Sequence, residues 1–344
     1  VPPRPDSSYA AMAPLISIAI PTYNRATVLA DTLSALATHP ELMADEVELV
    51  ISDNASTDTT AEVVRDFAAR TGKAVRYSRN DRNLGIDGNI HAVSHLATGR
   101  YLLLMSDDDF LRPGALTRLS ELVRQHPDLL FCFANGGSFS GRYDPSVALP
   151  SLIQIPDTMV TRDPDAVLQT IWIWSTFISA FFVDRQAWVA VPDQQRFIGS
   201  DIYLTHVLYR VLAGNRGRTC VVTSEQLSAA RMEYTGSFRI FHAFGNSFLG
   251  LVCDEAPRLG LDKAAMRAVK LATIRKGLPP MILMVRRGLK PRRLTWMEWR
   301  LLFRHTWWEP SAWAYLLPIC LLPQSGIEAL MRLKRLVVKR SLFA

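Results

Sequence analysis

Four short β-rich runs separated by helical patterns constrain the fold more than any other feature of this chain. ISIAI opens at Ile16 and is followed by a helical pattern from Ala26 to about His39, then VELVIS, a second helical pattern from Asp58 to about Arg70, and VRYSR. A further helix around Asn89 to Ala97 leads into YLLLMS, which ends in three aspartates. Runs apolar on both faces, alternating with helices, predict parallel strands covered by helices on each side, with right-handed crossovers. Ligands of such sheets bind at the carboxyl ends of strands. The polar clusters PTYN, SDNASTD and SDDD are therefore expected to converge on one crevice. LLFCFA and TFISAFFV read as strands and IYLTHVLYRVLAG as a helix ended by Gly214, completing a mixed sheet in the same domain. From about Phe238 onward the pattern is helical, interrupted at Pro279-Pro280 and Pro310. The expected class is α/β, a mostly parallel, Rossmann-like mixed sheet with helices on both faces, plus a helical C-terminal region.

With 344 residues and 49% hydrophobic composition, the chain can bury one large core or two moderate ones without disulfides. Cys132, Cys220, Cys253 and Cys320 lie far apart, with no CxxC spacing for zinc or redox work, which fits a reducing, cytosolic compartment. The sequence has no run of about 18 or more apolar residues, and its opening VPPRPDSSYAAMAPL lacks the layout of a secretory signal. Residues 1–14 are expected to be disordered or foreign to the native chain, with a native start at Met12. Charge is uneven: residues 266–344 hold 16 Lys/Arg against 3 Asp/Glu, leaving 23 against 29 for the rest. Such a tail suits clustered negative charge on nucleic acid, anionic lipid or a phosphorylated ligand.

Ser106-Asp107-Asp108-Asp109 at a strand end is the strongest chemical signal. Three adjacent carboxylates repel one another, so at least one pKa should rise unless a cation resolves the conflict. Oxygen ligands and a polyphosphate partner suit Mg²⁺ or Mn²⁺, which takes one or two protein carboxylates and completes its shell with phosphate and water. The alternative is an acidic turn with Asp109 capping the next helix. Asp53, where VELVIS opens into its turn, can accept from a base N–H or a ribose hydroxyl, while Thr57 or Asp58 reads as an N-cap. Tyr23 in Pro21-Thr22-Tyr23-Asn24 can stack on a base, with plain turn chemistry as its alternative.

Together ISIAIPTYNRATVLADTLSAL, VELVISDNASTD and RNLGIDGNIHAVSHLATGRYLLLMSDDDFLRPGAL resemble glycosyltransferase family 2, whose members have a GT-A fold. The S-D-D-D form and D-N-x-S-T-D turn look most like transferases of bacterial surface polysaccharides, abequosyltransferase-like enzymes among them. The likeness covers roughly residues 15–120, four motifs in order. It implies an inverting transfer from a nucleotide-sugar donor to a hydroxyl of a glycan or lipid-linked saccharide, with Mn²⁺ or Mg²⁺. It implies that Pro21, Thr22, Tyr23, Asn24 and Asp53 hold base and ribose, that Asn83 and Gly85 lie near the same pocket, and that Arg79 or Arg82 contacts base or phosphate. Counting back from Pro113, Asp108 matches the principal metal ligand, with Asp109 beside it and Asp107 near the ribose. Ser106 replaces the first aspartate of the commoner D-x-D-D pattern. FIGSDIYLTHVLYRVLAG resembles the family's later E-D pair, with Ser200 at the Glu position and Asp201 as the general base. Asp201 has a helix-start alternative, and Asp184 and Asp193 stand behind it as candidates. Arg231, Tyr234, Arg239 and His242 match a segment that closes over the diphosphate in family members. His206 is expected to be packed.

These motifs divide the chain into a catalytic domain at residues 15–237, with a nucleotide-binding half to 120 and an acceptor-binding half from 121, and a C-terminal region at 238–344. That region holds Trp296, Trp299, Trp307, Trp308 and Trp313, the run AYLLPICLLP, too short to span, and the basic finish MRLKRLVVKR. Tryptophan with Lys/Arg beside short apolar helices predicts an interfacial surface on anionic lipid, peripheral on the inner face of the cytoplasmic membrane; buried helices with a solvated basic face are the alternative. The lipid-linked acceptor is expected to be polyprenyl-diphosphate-bound. No nucleic-acid-reading motif accompanies the charge. Two further readings are a nucleotidyltransferase, which would need a Gly-rich phosphate loop absent from PTYNRAT, and an inactive sugar-binding GT-A subunit, which should have lost its acidic motif. A dinucleotide-binding enzyme is disfavoured because no GxGxxG follows the first strand.

Overall fold

In the computed structural model the described residues are 13–232, 239–287, 294–323 and 325–329. Most of the expected N-terminal extension, Tyr234 and the basic finish lie outside them. The described residues fall into two compact units, one comprising 13–167, 174–199 and 203–232, the other 168–173, 200–202 and the described residues from 239 onward.

The strands of the first unit are β1 (Ile16–Thr22), β2 (Val47–Asp53), β3 (Val75–Arg79), β4 (Tyr101–Leu104), β5 (Phe110–Leu111), β6 (Leu129–Phe133), β7 (Gly136–Phe139), β8 (Met159–Thr161), β9 (Phe181–Asp184), β10 (Thr219–Val222) and β11 (Ser228–Arg231). An eight-stranded sheet runs β3-β2-β1-β4-β9-β6-β10-β8, and β5-β11-β7 form a small second sheet. β3, β2, β1 and β4 are mutually parallel, whereas β9 runs antiparallel to both β4 and β6. The expected α/β architecture with a mixed sheet is present. β1 and β4 are buried along their whole length, as apolar runs without alternation require.

α1 (Ala26–Leu36), α2 (Thr60–Thr71), α3 (Gly85–Leu96), α4 (Ala115–Gln125), α5 (Pro164–Ile171), α6 (Arg185–Val189) and α7 (Tyr203–Gly214) accompany these strands. α1 ends at Leu36 rather than near His39. Pro40 excludes a helical conformation at His39, which sits extended at φ −88°, ψ 111°. α1 buries Leu29, Leu33 and Leu36 and α4 buries Leu116, Leu119 and Leu122, one stripe each. TFISAFFV is a strand only from Phe181; Ile178–Ala180 is a 3₁₀ turn, and its Ser179 side chain is taken up by the acidic motif. Gly99, before β4, approaches β1 so closely that a Cβ there would lie 2.6 Å from Ser17 Oγ and 2.9 Å from Ser17 N.

The second unit is helical, with α8 (Lys263–Ala272), α9 (Leu278–Arg287), α10 (Trp296–Phe303), α11 (Pro310–Tyr315) and α12 (Leu317–Leu321). A Thr295–Glu298 capping box starts α10. Gly245 lets α10 come near, since a Cβ there would meet Leu301 O at 3.1 Å. The buried Arg286 guanidinium donates to the carbonyls of Ile319, Cys320 and Leu322 at 2.7, 3.0 and 2.7 Å, satisfying the C-terminal end of α12. Among the described residues no helix is long and apolar enough to cross a membrane.

Candidate functional site

Because β2, β1 and β4 are parallel neighbours, their carboxyl ends share one edge of the sheet. The turns there are tightly cross-linked. Asn24 adopts a left-handed φ of 51° and Ala55 one of 64°, conformations that non-glycine residues rarely take. Asn24 N donates to Ser56 Oγ at 2.9 Å and Asn24 Oδ1 accepts from Thr57 N at 2.7 Å, tying the first turn to the second. The N-cap position of α2 is Thr59 rather than Thr57 or Asp58; Asp58, one residue earlier, accepts from Thr60 N at 3.1 Å and from Ala26 N at 2.9 Å at the start of α1. Asn89 of α3 holds both strand tips: Nδ2 donates to Thr22 O and Ser52 O at 3.2 and 3.0 Å, and Oδ1 accepts from Ser52 Oγ at 2.7 Å.

Among the expected nucleotide contacts, Pro21 and Thr22 end β1 and pair in register with Ser52 and Asp53. Tyr23 presents an exposed ring. Asp53 is buried and accepts from Tyr77 Oη at 2.6 Å and Ser56 N at 2.8 Å. Burial and the Asp53 carboxylate push the Tyr77 hydroxyl well above the usual phenol range. Arg79 reaches toward Asp53, Nε to Oδ2 3.7 Å, and donates to Ser56 O at 2.8 Å. Asn83 accepts from Asn54 Nδ2 at 2.9 Å and from Gly85 N at 2.8 Å, and Gly85 starts α3 with φ 74°. Asn54, Ser56, Tyr77 and Asn89 had not been singled out from sequence, since their partners are set by strand neighbours rather than by spacing.

The acidic motif follows β4. Asp107 is buried, with Oδ2 accepting from Thr22 Oγ1 at 2.7 Å and Oδ1 from Arg25 Nη1 at 2.6 Å. Asp108 accepts from Arg25 Nη2 and from Ser106 Oγ, each at 2.5 Å. Asp109 is buried, and its two oxygens accept from Ser179 Oγ at 2.6 Å and Arg231 N at 2.9 Å. Burial pushes the Asp107 carboxyl up to about 6 against the pull of Arg25 and Thr22. Burial and the neighbouring Asp108 push Asp109 up to about 7. Two of the three carboxyls are thus raised as expected, but burial is the larger cause and repulsion from neighbouring carboxylates the smaller one. Arg25, absent from the sequence-level site, spans two of the three acids. Among the described residues no three His, Cys, Asp or Glu side chains converge into a metal cage. Asp107 and Asp108 supply hard oxygen donors, which fits a Mg²⁺ or Mn²⁺ ion held largely by phosphate and water.

Asp201, in the second unit, has a left-handed φ of 65°. Its oxygens accept from Arg239 Nη2 at 2.8 Å and meet His242 Nδ1 at 3.2 Å, so two residues of the expected phosphate-closing segment engage it. The first amide of α7, Tyr203 N, donates instead to Asp87 at 3.1 Å. Asp184 caps α6, pairs with Arg218 at 2.7 Å and lies opposite Tyr101 at the start of β4, the other edge of the sheet from the acidic motif. Asp193 lines a cavity with His91, His95 and Arg196. His206 is packed as expected, stacked on Phe197 with ring centroids 4.7 Å apart. The Arg231 guanidinium lies over Phe110 and Phe139 at 5.6 and 5.4 Å.

Residues 17–177 match the family model "Glycosyl transferase family 2". Abequosyltransferase RfbV of Salmonella typhimurium is 36% identical over 118 residues, 34% of this chain and 35% of that protein. The aligned part thus spans about a third of that relative's length. Among solved structures, S. aureus TarS residues 1–349 in complex with UDP-GlcNAc superposes with a TM-score of 0.57 at 17% identity, covering 84% of this chain and 79% of that one. Mannosyltransferase PcManGT from Pyrobaculum calidifontis, in complex with GDP-Man and Mn²⁺, gives 0.53 at 16% identity, covering 92% and 88%. At such identities the likeness is one of fold. By the sequence match, residues 17–177 of this chain are a glycosyl transferase family 2 domain.

Proposed function

We propose that this protein transfers a sugar from a nucleotide-sugar donor to a hydroxyl of a saccharide acceptor, with inversion at the anomeric carbon. The observation that carries the reading is the adjacency of three parallel strand tips bearing Tyr23, Asp53 and the Asp107–Asp108 pair. In this reading the Tyr23 ring covers the base and Asp53, fixed by Tyr77 and Ser56, accepts from base or ribose. Asp107 lies toward the ribose and Asp108 toward the diphosphate. Asn24, Asn83 and Gly85 shape the pocket and Arg79 borders it. A bound Mg²⁺ or Mn²⁺ would supply charge neutralisation to the departing diphosphate. We assign that ion to Asp108, whose side chain keeps 15% of its surface exposed, rather than to the buried Asp109.

Asp201 takes the proton from the acceptor hydroxyl as that oxygen attacks the anomeric carbon and the nucleoside diphosphate leaves with the bonding pair. Its left-handed backbone and anchoring to Arg239 and His242 support a positioned carboxylate, since strained conformations concentrate at functional sites. The abequosyltransferase likeness supports a bacterial surface-polysaccharide acceptor, polyprenyl-diphosphate-linked. The exposed tryptophans of the second unit support docking on the anionic inner face of the cytoplasmic membrane.

A thermal-shift series with UDP and GDP, with and without Mn²⁺, tests the reading. Ligand at 100 times its Kd stabilises the fold by about 2.7 kcal/mol. Asp108→Ala should lose the metal-dependent part of the shift. Asp201→Asn should keep the shift while lowering kcat by roughly 10² or more. Full turnover in excess chelator overturns the metal assignment, and a product of retained configuration overturns the role of Asp201.

A further inference from the structure

Arg25 precedes the first residue of α1, and its guanidinium forks across two different carboxylates, Nη1 to Asp107 Oδ1 at 2.6 Å and Nη2 to Asp108 Oδ2 at 2.5 Å. The remaining oxygens of the pair accept from Thr22 Oγ1 at 2.7 Å and Ser106 Oγ at 2.5 Å. All four oxygens therefore already hold a donor from the protein itself. Asp107 is nearly inaccessible, with 4% of its side chain exposed, while Arg25 retains 24% and Asp108 15%, so the fork and the outer acid are the parts a ligand can reach. Charge-assisted bonds of this length are the strong kind, and they are strengthened where water is scarce.

A divalent cation approaching Asp108 alone meets a pair already half neutralised and a guanidinium competing for the same oxygen. Repulsion between two cations a few ångströms apart is substantial at the effective dielectric of a protein surface. A nucleoside diphosphate changes that balance. Its phosphate oxygens can accept the guanidinium fork and share the metal, so each cation gains a partner as Asp108 is released.

We propose that Arg25 is a built-in counter-ion for the Asp107–Asp108 pair that makes divalent-metal binding conditional on the nucleoside diphosphate. The proposal rests on the nucleotide-sugar reading of this crevice. It makes Arg25 a positioning residue: the free protein holds metal weakly, and metal and nucleotide each strengthen the other's binding.

Mn²⁺ titrations followed by the EPR signal of the free ion test this on the full chain, alone and with saturating UDP or GDP. Wild type should bind Mn²⁺ about tenfold or more weakly without a nucleotide than with one, and Arg25→Met should tighten binding of Mn²⁺ alone by about tenfold while shrinking that difference. Arg25→Lys, which reaches one carboxylate at a time, should fall between them and carries the test if Arg25→Met does not fold. Unchanged or weaker binding of Mn²⁺ alone in the folded variants, with nucleotide-supported binding intact in wild type, overturns the role of Arg25 and leaves the functional reading standing. Binding of Mn²⁺ by no form under any condition overturns both.

Discussion

Both oxygens of Asp109 accept hydrogen bonds inside the protein, and burial beside Asp108 raises its carboxyl to about 7. The unfolded chain titrates this group near its ordinary value, about 4. Between those values the folded state binds more protons than the unfolded state, so this group's contribution to stability falls as pH rises. The ligand-free wild type should therefore lose stability relative to Asp109→Asn on going from pH 5 to 8, by about 2 kcal/mol. Chemical denaturation of both proteins at each pH reads the difference and cancels titrations common to both. A flat difference would mean that Asp109 is ionised throughout. The carboxylates were legible in the sequence because they stand side by side at a strand end. Arg25 and Ser179 were not, because they lie 82 and 70 residues from the acids they bond, separations that only the folded sheet closes.

β1 and β4 were readable because they are largely apolar and fully buried, whereas β3, VRYSR, is legible mainly from its place after a helix; the parallel arrangement of β3, β2, β1 and β4 follows from the helices between them. Helix ends were less readable, since Pro40 acts through the residue before it and α3 begins at Gly85 rather than near Asn89. Asn89 is therefore inside the helix, where a polar residue carries no periodic signal. There it bonds the carbonyls of Thr22 and Ser52, the last turns of two strands, and joins α3 to the sheet edge that bears the crevice. Removing its side chain takes a donor from two buried carbonyls, of which Thr22 O keeps Asn54 N, and takes the acceptor of the Ser52 hydroxyl. Asn89→Ala should destabilise the protein by about 2–4 kcal/mol and weaken nucleotide binding, because the strand tips lose their common anchor. Urea unfolding with a nucleotide titration would show this; a loss below about 0.5 kcal/mol would mean that the tips hold themselves.

Taken over the whole chain, the positive excess and the tryptophans coincide in the second unit, but its helices are neither a free amphipathic tail nor a fully buried core. Leu302, Ala312 and Leu316 are buried, and Arg286 is bonded across to the end of α12, so deleting everything beyond Leu294 would strip that unit of its interior. Trp296 is 81% exposed, Trp307 61% and Trp308 51%, so these rings present apolar surface that the unit itself leaves uncovered. Sequence alone could not separate the two groups, because both lie in the same short apolar runs and only packing sorts them. The informative variant is thus the intact chain with Trp296, Trp307 and Trp308 changed to Ser, which leaves the buried positions untouched. Co-sedimentation with phosphatidylglycerol-rich vesicles should fall by roughly tenfold or more in that variant, since apolar insertion is lost while the basic charge remains. Raising salt should weaken wild-type binding without abolishing it and should nearly abolish what the variant retains, because the electrostatic part is screened and the inserted part is not. Equal sedimentation of the two proteins, or none by either, would show that these rings serve something other than a bilayer.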